Sequence, residues 1–205
     1  MNHFIEMSKK LSEVFEENKI YLCDLDRSAG DGDHGITISR GFTEAYNKVK
    51  ELDENSSASE ICKNIGYGML NSMGGASGPI FSTFFIQTAI VLNEKEGWDI
   101  ESFKETIRKT IEAIHDLAGT NKGEKTMLDA MYGALEYLDS HEQTTVLEAM
   151  AQAYEGAKIG SEATKNMKAT KGRAKFLQER SIGFIDAGSW SICLIFKTIF
   201  DTFGG

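Results

Sequence analysis

Three aspartates fall within eight positions, Asp26, Asp31 and Asp33, with Asp24 just upstream. Gly30, Gly32 and Gly35 are interleaved with them, and glycine lets a backbone fold tightly enough to bring such side chains together. Clustered carboxylates repel one another unless a cation joins them. An oxygen-only set suits a hard cation, Mg²⁺ or Ca²⁺. Mg²⁺ commonly takes a few carboxylates and leaves its other positions to water and phosphate. The competing reading is a solvated acidic turn with helix caps. An EF-hand starting at Asp24 fails on position: its sixth residue is Ala29 and its twelfth Gly35, where Gly and Glu are required. His34 borders the carboxylates, and its bland reading is a helix-start residue that bonds locally. His3, His115 and His141 are scattered and make no zinc set.

Two other glycine-rich loops bear on an anion. Gly74-Gly75-Ala76-Ser77-Gly78-Pro79 precedes an apolar helical run. Free backbone N–H groups and the helix dipole make such a terminus an anion site. It has no Lys-Ser/Thr pair and is not a Walker motif; a structural turn explains it equally well. Gly172-Arg173-Ala174 leads to Glu179-Arg180-Ser181-Ile182-Gly183 and Asp186-Ala187-Gly188. An Arg in such a loop can pair bidentately with a phosphate, or can be a surface Arg in a mobile loop. No Ser-His-Asp or Cys-His arrangement nominates a covalent nucleophile.

The elements that position these loops read as helices. The chain of 205 residues has a single proline, Pro79, too little turn chemistry for a strand-rich domain. Apolar residues recur at three and four from Phe4 to Leu22, so the first helix is expected from Asn2 to about Tyr21. Others are expected at Gly35–Leu52, from Ser57 or Ser59 to Asn71, at Ile80–Asn93 with Pro79 as first helical residue, Asp99–Leu117, Lys125–Leu138, Thr145–Lys165 and Ser189–Phe200. Short loops force neighbours antiparallel, which predicts an all-α up-and-down bundle or closed barrel of about eight helices. Its Met and aromatic stripes read as core.

Composition narrows the partners. Hydrophobic residues make up 41%, enough for a core in one domain over 1–205. The net charge of −9 repels polyphosphate at long range and argues against nucleic acid. A bound cation or a local Arg can still reverse the sign at one site. No secretory signal opens the chain, and no apolar stretch approaches the roughly 20 residues of a membrane span. Cys23, Cys62 and Cys193 are odd in number and far apart, which reads as free cytosolic thiols and a cytoplasmic location.

Taken in order, the motifs resemble the ADP-binding L subunit of dihydroxyacetone kinase (the DhaL family). They are Leu25-Asp26-(x4)-Asp31-Gly32-Asp33-His34-Gly35, Arg40-Gly41-Phe42, Met73 to Pro79, Gly123-Glu124-Lys125-Thr126-Met127-Leu128-Asp129-Ala130, Gly172-Arg173-Ala174, Glu179 to Gly183, and Asp186-Ala187-Gly188. Order and spacing match along nearly the whole chain. The resemblance implies a closed barrel of eight antiparallel helices with the nucleotide at one rim. It implies two Mg²⁺ ions held by Asp26, Asp31 and Asp33 against the phosphates of ADP or ATP. His34, Gly35, Ile36 and Thr37 are then expected beside the nucleotide, and Ala76 and Ser77 at phosphate. Gly119 and Met127 are expected on the adenine and ribose side, with Arg173 and Asp186, Ala187 and Gly188 closing the site.

The same resemblance implies phosphoryl transfer to dihydroxyacetone bound on a separate K subunit. The donor is either exchangeable ATP or ADP recharged by a phosphocarrier M subunit of the phosphotransferase system. Such transfer needs positioning and charge neutralisation more than covalent chemistry. A non-catalytic ADP sensor and a kinase subunit for another acceptor are the alternatives. Two residues depart from the family pattern. Ala187 replaces the usual proline of the Asp-Pro-Gly turn, which makes that turn less preset. Thr37 stands where a longer amide is common.

Overall fold

The computed structural model describes residues 2–205. They form nine α-helices: α1 His3–Glu17, α2 Lys19–Arg27, α3 His34–Val49, α4 Ala58–Ser72, α5 Ser77–Val91, α6 Ile100–Ala118, α7 Met127–Ser140, α8 Val146–Ala163 and α9 Ala187–Phe203. Short 3₁₀ segments cover Thr164–Asn166 and Ala174–Ser181. The all-α expectation holds, and among the described residues no helix is long and apolar enough to cross a membrane.

The packing order closes on itself. From α3 to α9 each helix packs on the next, and α1 packs on both α9 and α3. Side chains show the neighbours running antiparallel. Gly41 on α3 faces Met73 past the end of α4, while Gly68 faces Ala45. Ser59 at the start of α4 donates to the Ala89 carbonyl at the end of α5. Ser161 near the end of α8 meets Ser189 in the first turn of α9. Eight helices thus make the ring, and α2 is an additional short helix against α3 and α9.

The first expected helix is two. It stops at Glu17, where Asn18 turns out of helical geometry (φ −91°, ψ 3°) and its amide donates to the Val14 carbonyl at 2.8 Å. The apolar spacing continues across the break, because Leu22 on α2 is buried in the same core as Phe4, Met7, Leu11 and Phe15. Two other boundaries move. Helix α5 begins at Ser77, two residues before Pro79, still within the first turn, where a missing N–H breaks no helical bond. Helix α7 begins at Met127, because Lys125 has φ 60° and Thr126 is the N-cap.

Phenylalanines fill the ring. Phe15 stacks on Phe42 with centroids 4.3 Å apart, and Phe84 meets Phe85 and Phe196 edge-on. Each such fully buried ring contributes on the order of 1.5–3 kcal/mol. Helix α5 carries no charged residue. Gly133, Gly156 and Gly160 let α7 and α8 approach backbone to backbone, and a Cβ on any of them would overlap the partner's main chain. One end of the ring is sealed by Phe4, Trp98, Phe103 and Phe203, with centroids 5.1–5.5 Å apart. The opposite rim collects the loops before α3, α5, α7 and α9, the same loops that carry the motifs.

Candidate functional site

The aspartate loop joins α2 to α3. Asp26 sits in the last turn of α2, and its carboxylate accepts from the backbone N–H groups of Gly32 at 2.8 Å and Asp33 at 3.1 Å. The Gly30 N–H returns to the Asp26 carbonyl at 2.5 Å. Gly32 has φ 76°, a left-handed turn that costs glycine little. The loop is folded around Asp26, and one oxygen each of Asp26, Asp31 and Asp33 lie within 4.8 Å of one another. Asp31 and Asp33 are exposed and Asp26 is partly buried. Among the described residues this is the one group of carboxylate, thiol and imidazole ligands close enough to share a metal ion.

Arg173 reaches this loop from 142 residues further along the chain and forms an ion pair with Asp31. It belongs to a segment that reverses the sign of the molecule locally. Of the 22 basic residues, Lys165, Lys168, Lys171, Arg173, Lys175 and Arg180 fall in this stretch, with Glu179 as its only acid.

Helix termini complete the rim. On the sealed end all four ring helices have side-chain caps, from Asn2, Ser57, Asp99 and Thr145. On the loop end Thr126 caps α7 and Asp186 caps α9, but α3 and α5 have none. The first-turn N–H groups at His34, Gly35 and Ile36, and at Ser77 and Gly78, are therefore left to another acceptor. Gly74 and Gly75, just before α5, face open space. Two uncapped N-termini beside three carboxylates provide for an anion and a cation together.

The remaining expected residues fall as follows. His34 Nε2 lies 2.8 Å from the Ser191 hydroxyl and its ring tilts against Phe81 at 5.7 Å. Burial holds its imidazole near pKa 4, against the opposing charge of Asp26, so it is neutral at pH 7. Gly35 is buried because α3 crosses the Lys19 carbonyl there, at a spot a Cβ would occupy. Ile36 is exposed and Thr37 partly exposed. Ala76 is exposed and Ser77 partly so. Gly119 ends α6 in left-handed geometry (φ 59°) and is exposed. Met127 is buried, with Gly188 packed beside it. Asp186 accepts from the Ser189 N–H at 2.7 Å. Burial pushes its carboxyl up to about 7, although that N–H and Lys125 work the other way. Ala187 is buried in the first turn of α9. The 186–188 turn thus packs against Met127 at the start of α7, and Asp26 is near enough to add to the rise of the Asp186 carboxyl.

Comparison with known proteins fits this geometry. Residues 28–201 match the DAK2 domain model. The chain belongs to the DAK2 domain family. Among the relatives of this DAK2 chain is the ADP-binding subunit DhaL of PEP-dependent dihydroxyacetone kinase 1 from Listeria innocua. It is 37% identical over 191 residues, 93% of this chain and 90% of the relative. The corresponding Escherichia coli subunit is 33% identical over 192 residues, 93% and 91% of the two chains. The fold is shared with the dihydroxyacetone kinase of C. freundii, solved in complex with AMP-PNP and Mg²⁺. The TM-score is 0.70 at 23% identity, covering 96% of this chain and 33% of that one.

Two groups escaped the sequence reading as site residues. Ser191 is fixed only by the meeting of α3 and α9. Lys125 lies inside a quoted motif, but its partners are 39 and 59 residues away.

Proposed function

We propose that this chain, as one domain over 1–205, is the nucleotide-binding subunit of a cytoplasmic dihydroxyacetone kinase. It would pass a phosphoryl group from a Mg²⁺-bound nucleotide to dihydroxyacetone held on a separate K subunit. The observation that carries the reading is the rim itself, which holds three convergent carboxylates and two uncapped helix N-termini. The DhaL relatives, named as ADP-binding subunits, support the nucleotide.

The donor set fits a hard cation, being oxygen-only and partly exposed. Asp26, Asp31 and Asp33 would hold two Mg²⁺ ions, which when bound neutralise phosphate charge and polarise its oxygens. The N–H groups at His34, Gly35, Ile36, Ala76 and Ser77 would donate to the phosphate oxygens. Thr37 stands one turn further along α3. Gly119 would leave room for the base, with Met127 as the apolar floor beneath it. Arg173 would exchange Asp31 for a phosphate oxygen, and Asp186, Ala187 and Gly188 would wall the site through α9. No protein nucleophile is needed, because transfer depends on alignment and charge neutralisation.

The relatives' dependence on phosphoenolpyruvate favours a donor relay in which ADP is recharged by a phosphocarrier M subunit; exchange with ATP is the other route. Calorimetry tests the site: wild type binds ADP with Mg²⁺ and loses that binding in EDTA, and Asp31→Ala loses it in both. Unchanged ADP affinity in Asp31→Ala would overturn the assignment. Reconstitution with a K subunit, dihydroxyacetone and either ATP or a phosphocarrier chain separates a transferring subunit from a mere ADP sensor.

A further inference from the structure

Lys125 is the buried lysine of the rim, 4% exposed. Its ammonium donates to two carbonyls, Thr164 at 2.6 Å and Phe184. These carbonyls are the two stems of the Arg173-bearing segment, which leaves α8 at Thr164 and enters α9 after Asp186. One ammonium thus pins both ends of a stretch of about twenty residues, and closing a loop of that length costs entropy that a fixed clasp offsets. Other bonds reinforce the same stems. The Gly183 N–H donates to the Lys165 carbonyl at 2.7 Å, and the Asp186 N–H to the Thr164 hydroxyl at 3.0 Å. Beyond the stems the Ala169 N–H donates to the buried Ser181 hydroxyl at 2.9 Å, and the Thr170 N–H and the Lys171 ammonium reach the Glu124 and Gly119 carbonyls. Lys168 with Glu179 and Arg173 with Asp31 are exposed pairs.

The backbone at Lys125 makes the clasp specific. Its φ of 60° is left-handed, a conformation a long side chain adopts only when its surroundings hold it there. Asp129 fixes the flanks, accepting from the Gly123 N–H at 2.5 Å and the Thr126 N–H at 2.8 Å. Burial lowers the pKa of the Lys125 ammonium from the ordinary lysine value, and the nearby Asp186 and Asp129 oppose that shift.

We propose that Lys125 is a positioning residue: its ammonium clasps Thr164 and Phe184 and so holds the segment carrying Arg173 over the aspartate loop. The clasp also ties this segment to the turn before α7, where the Thr170 N–H and Lys171 meet Glu124 as well. Its consequence for nucleotide binding rests on the proposed function; the clasp itself does not.

Limited trypsin digestion without nucleotide tests the clasp, since Lys168, Lys171, Arg173, Lys175 and Arg180 are built-in cleavage sites. Lys125→Met keeps the aliphatic stem and removes the donor. Cleavage between 168 and 180 should quicken about ten- to hundredfold, in line with losing buried charge-assisted bonds, while circular dichroism still reports a folded helical ring. Lys125→Arg restores a charged double donor and should return the rate to near wild type. An unchanged rate in Lys125→Met overturns the proposal, as does equal acceleration in both variants. If Lys125→Met does not fold, Lys125→Arg decides: wild-type resistance supports the clasp, and rapid cleavage or failure to fold overturns it. A second arm measures Mg²⁺-dependent ADP affinity, expected to fall about tenfold in Lys125→Met as the competent state is depopulated. Should wild type bind no ADP, the function proposed above fails while the digestion result stands.

Discussion

Asp31 has two claimants, a cation and Arg173. In the structure the guanidinium takes it, an exposed pair of the kind worth at most about 1 kcal/mol. Such a pair breaks easily, so the Arg is free to move to a phosphate once a cation occupies the carboxylates. Arg173→Ala should therefore lower Mg²⁺-dependent ADP affinity by no more than the roughly tenfold expected on loosening its segment. Phosphoryl transfer should drop by about 10²–10³-fold, the usual loss of one donor aimed at developing charge; a reconstituted assay showing a rise in KM alone, with kcat unchanged, would contradict this. The three aspartates were legible from the chain because they meet through a turn of eight residues with glycines between them. Their partners were not. Arg173, His34 with Ser191, and Lys125 with Thr164 and Phe184 are joined by helix packing across tens of residues. No local spacing encodes those pairs; Arg173 stood out as an Arg in a glycine-rich loop, and its place at the aspartates came only from the resemblance of ordered motifs.

Elements were legible where caps and periodicity agree. Ser57, Asp99 and Thr145 each precede an apolar repeat and do cap α4, α6 and α8. The split between α1 and α2 was hidden because Leu22 keeps the apolar phase through the Asn18 break, and one core accepts both pieces. Gly35 is the residue that lets α2 lie against α3. A methyl there would meet the Lys19 carbonyl and the Cys23 sulfur, so Gly35→Ala should destabilise by about 1–3 kcal/mol and shift the aspartate loop with α2. Urea unfolding reads the first effect, and loss of Mg²⁺ binding the second. The Asp99 cap makes a pH prediction. Bonds from the Ser102 backbone and hydroxyl, and then Lys95, hold its carboxyl at about 2 in the folded chain, below the ordinary 3.8. The unfolded chain binds the extra proton between those values, so this contribution is present above pH 4 and is lost as pH falls toward 2. Asp99→Ala should cost about 1 kcal/mol at pH 7. The gap to wild type should narrow by pH 2.5; a constant gap across urea melts at the two pH values would refute the cap's role.

The whole molecule divides its two ends between stability and function. The aromatic seal of Phe4, Trp98, Phe103 and Phe203 and four capped helices make one end self-sufficient. The other end leaves α3 and α5 uncapped and crowds three carboxylates together, an arrangement that the proposed Mg²⁺ and nucleotide would stabilise. A ligand that binds only the folded chain stabilises it by RT ln(1 + [L]/Kd), about 2.7 kcal/mol at a hundred times Kd. For a chain of this size each kcal/mol moves Tm by roughly 2–4 °C. Mg²⁺ and ADP together should then raise Tm by about 5–10 °C. Neither alone should approach that, because the carboxylates repel the phosphates without the cation and the cation lacks its phosphate ligands without the nucleotide. The synergy is the diagnostic quantity, measured by differential scanning calorimetry with Mg²⁺, ADP, both, and both plus EDTA. Additive shifts would mean that cation and nucleotide bind at separate places, and the rim would then not be a single Mg²⁺–nucleotide site.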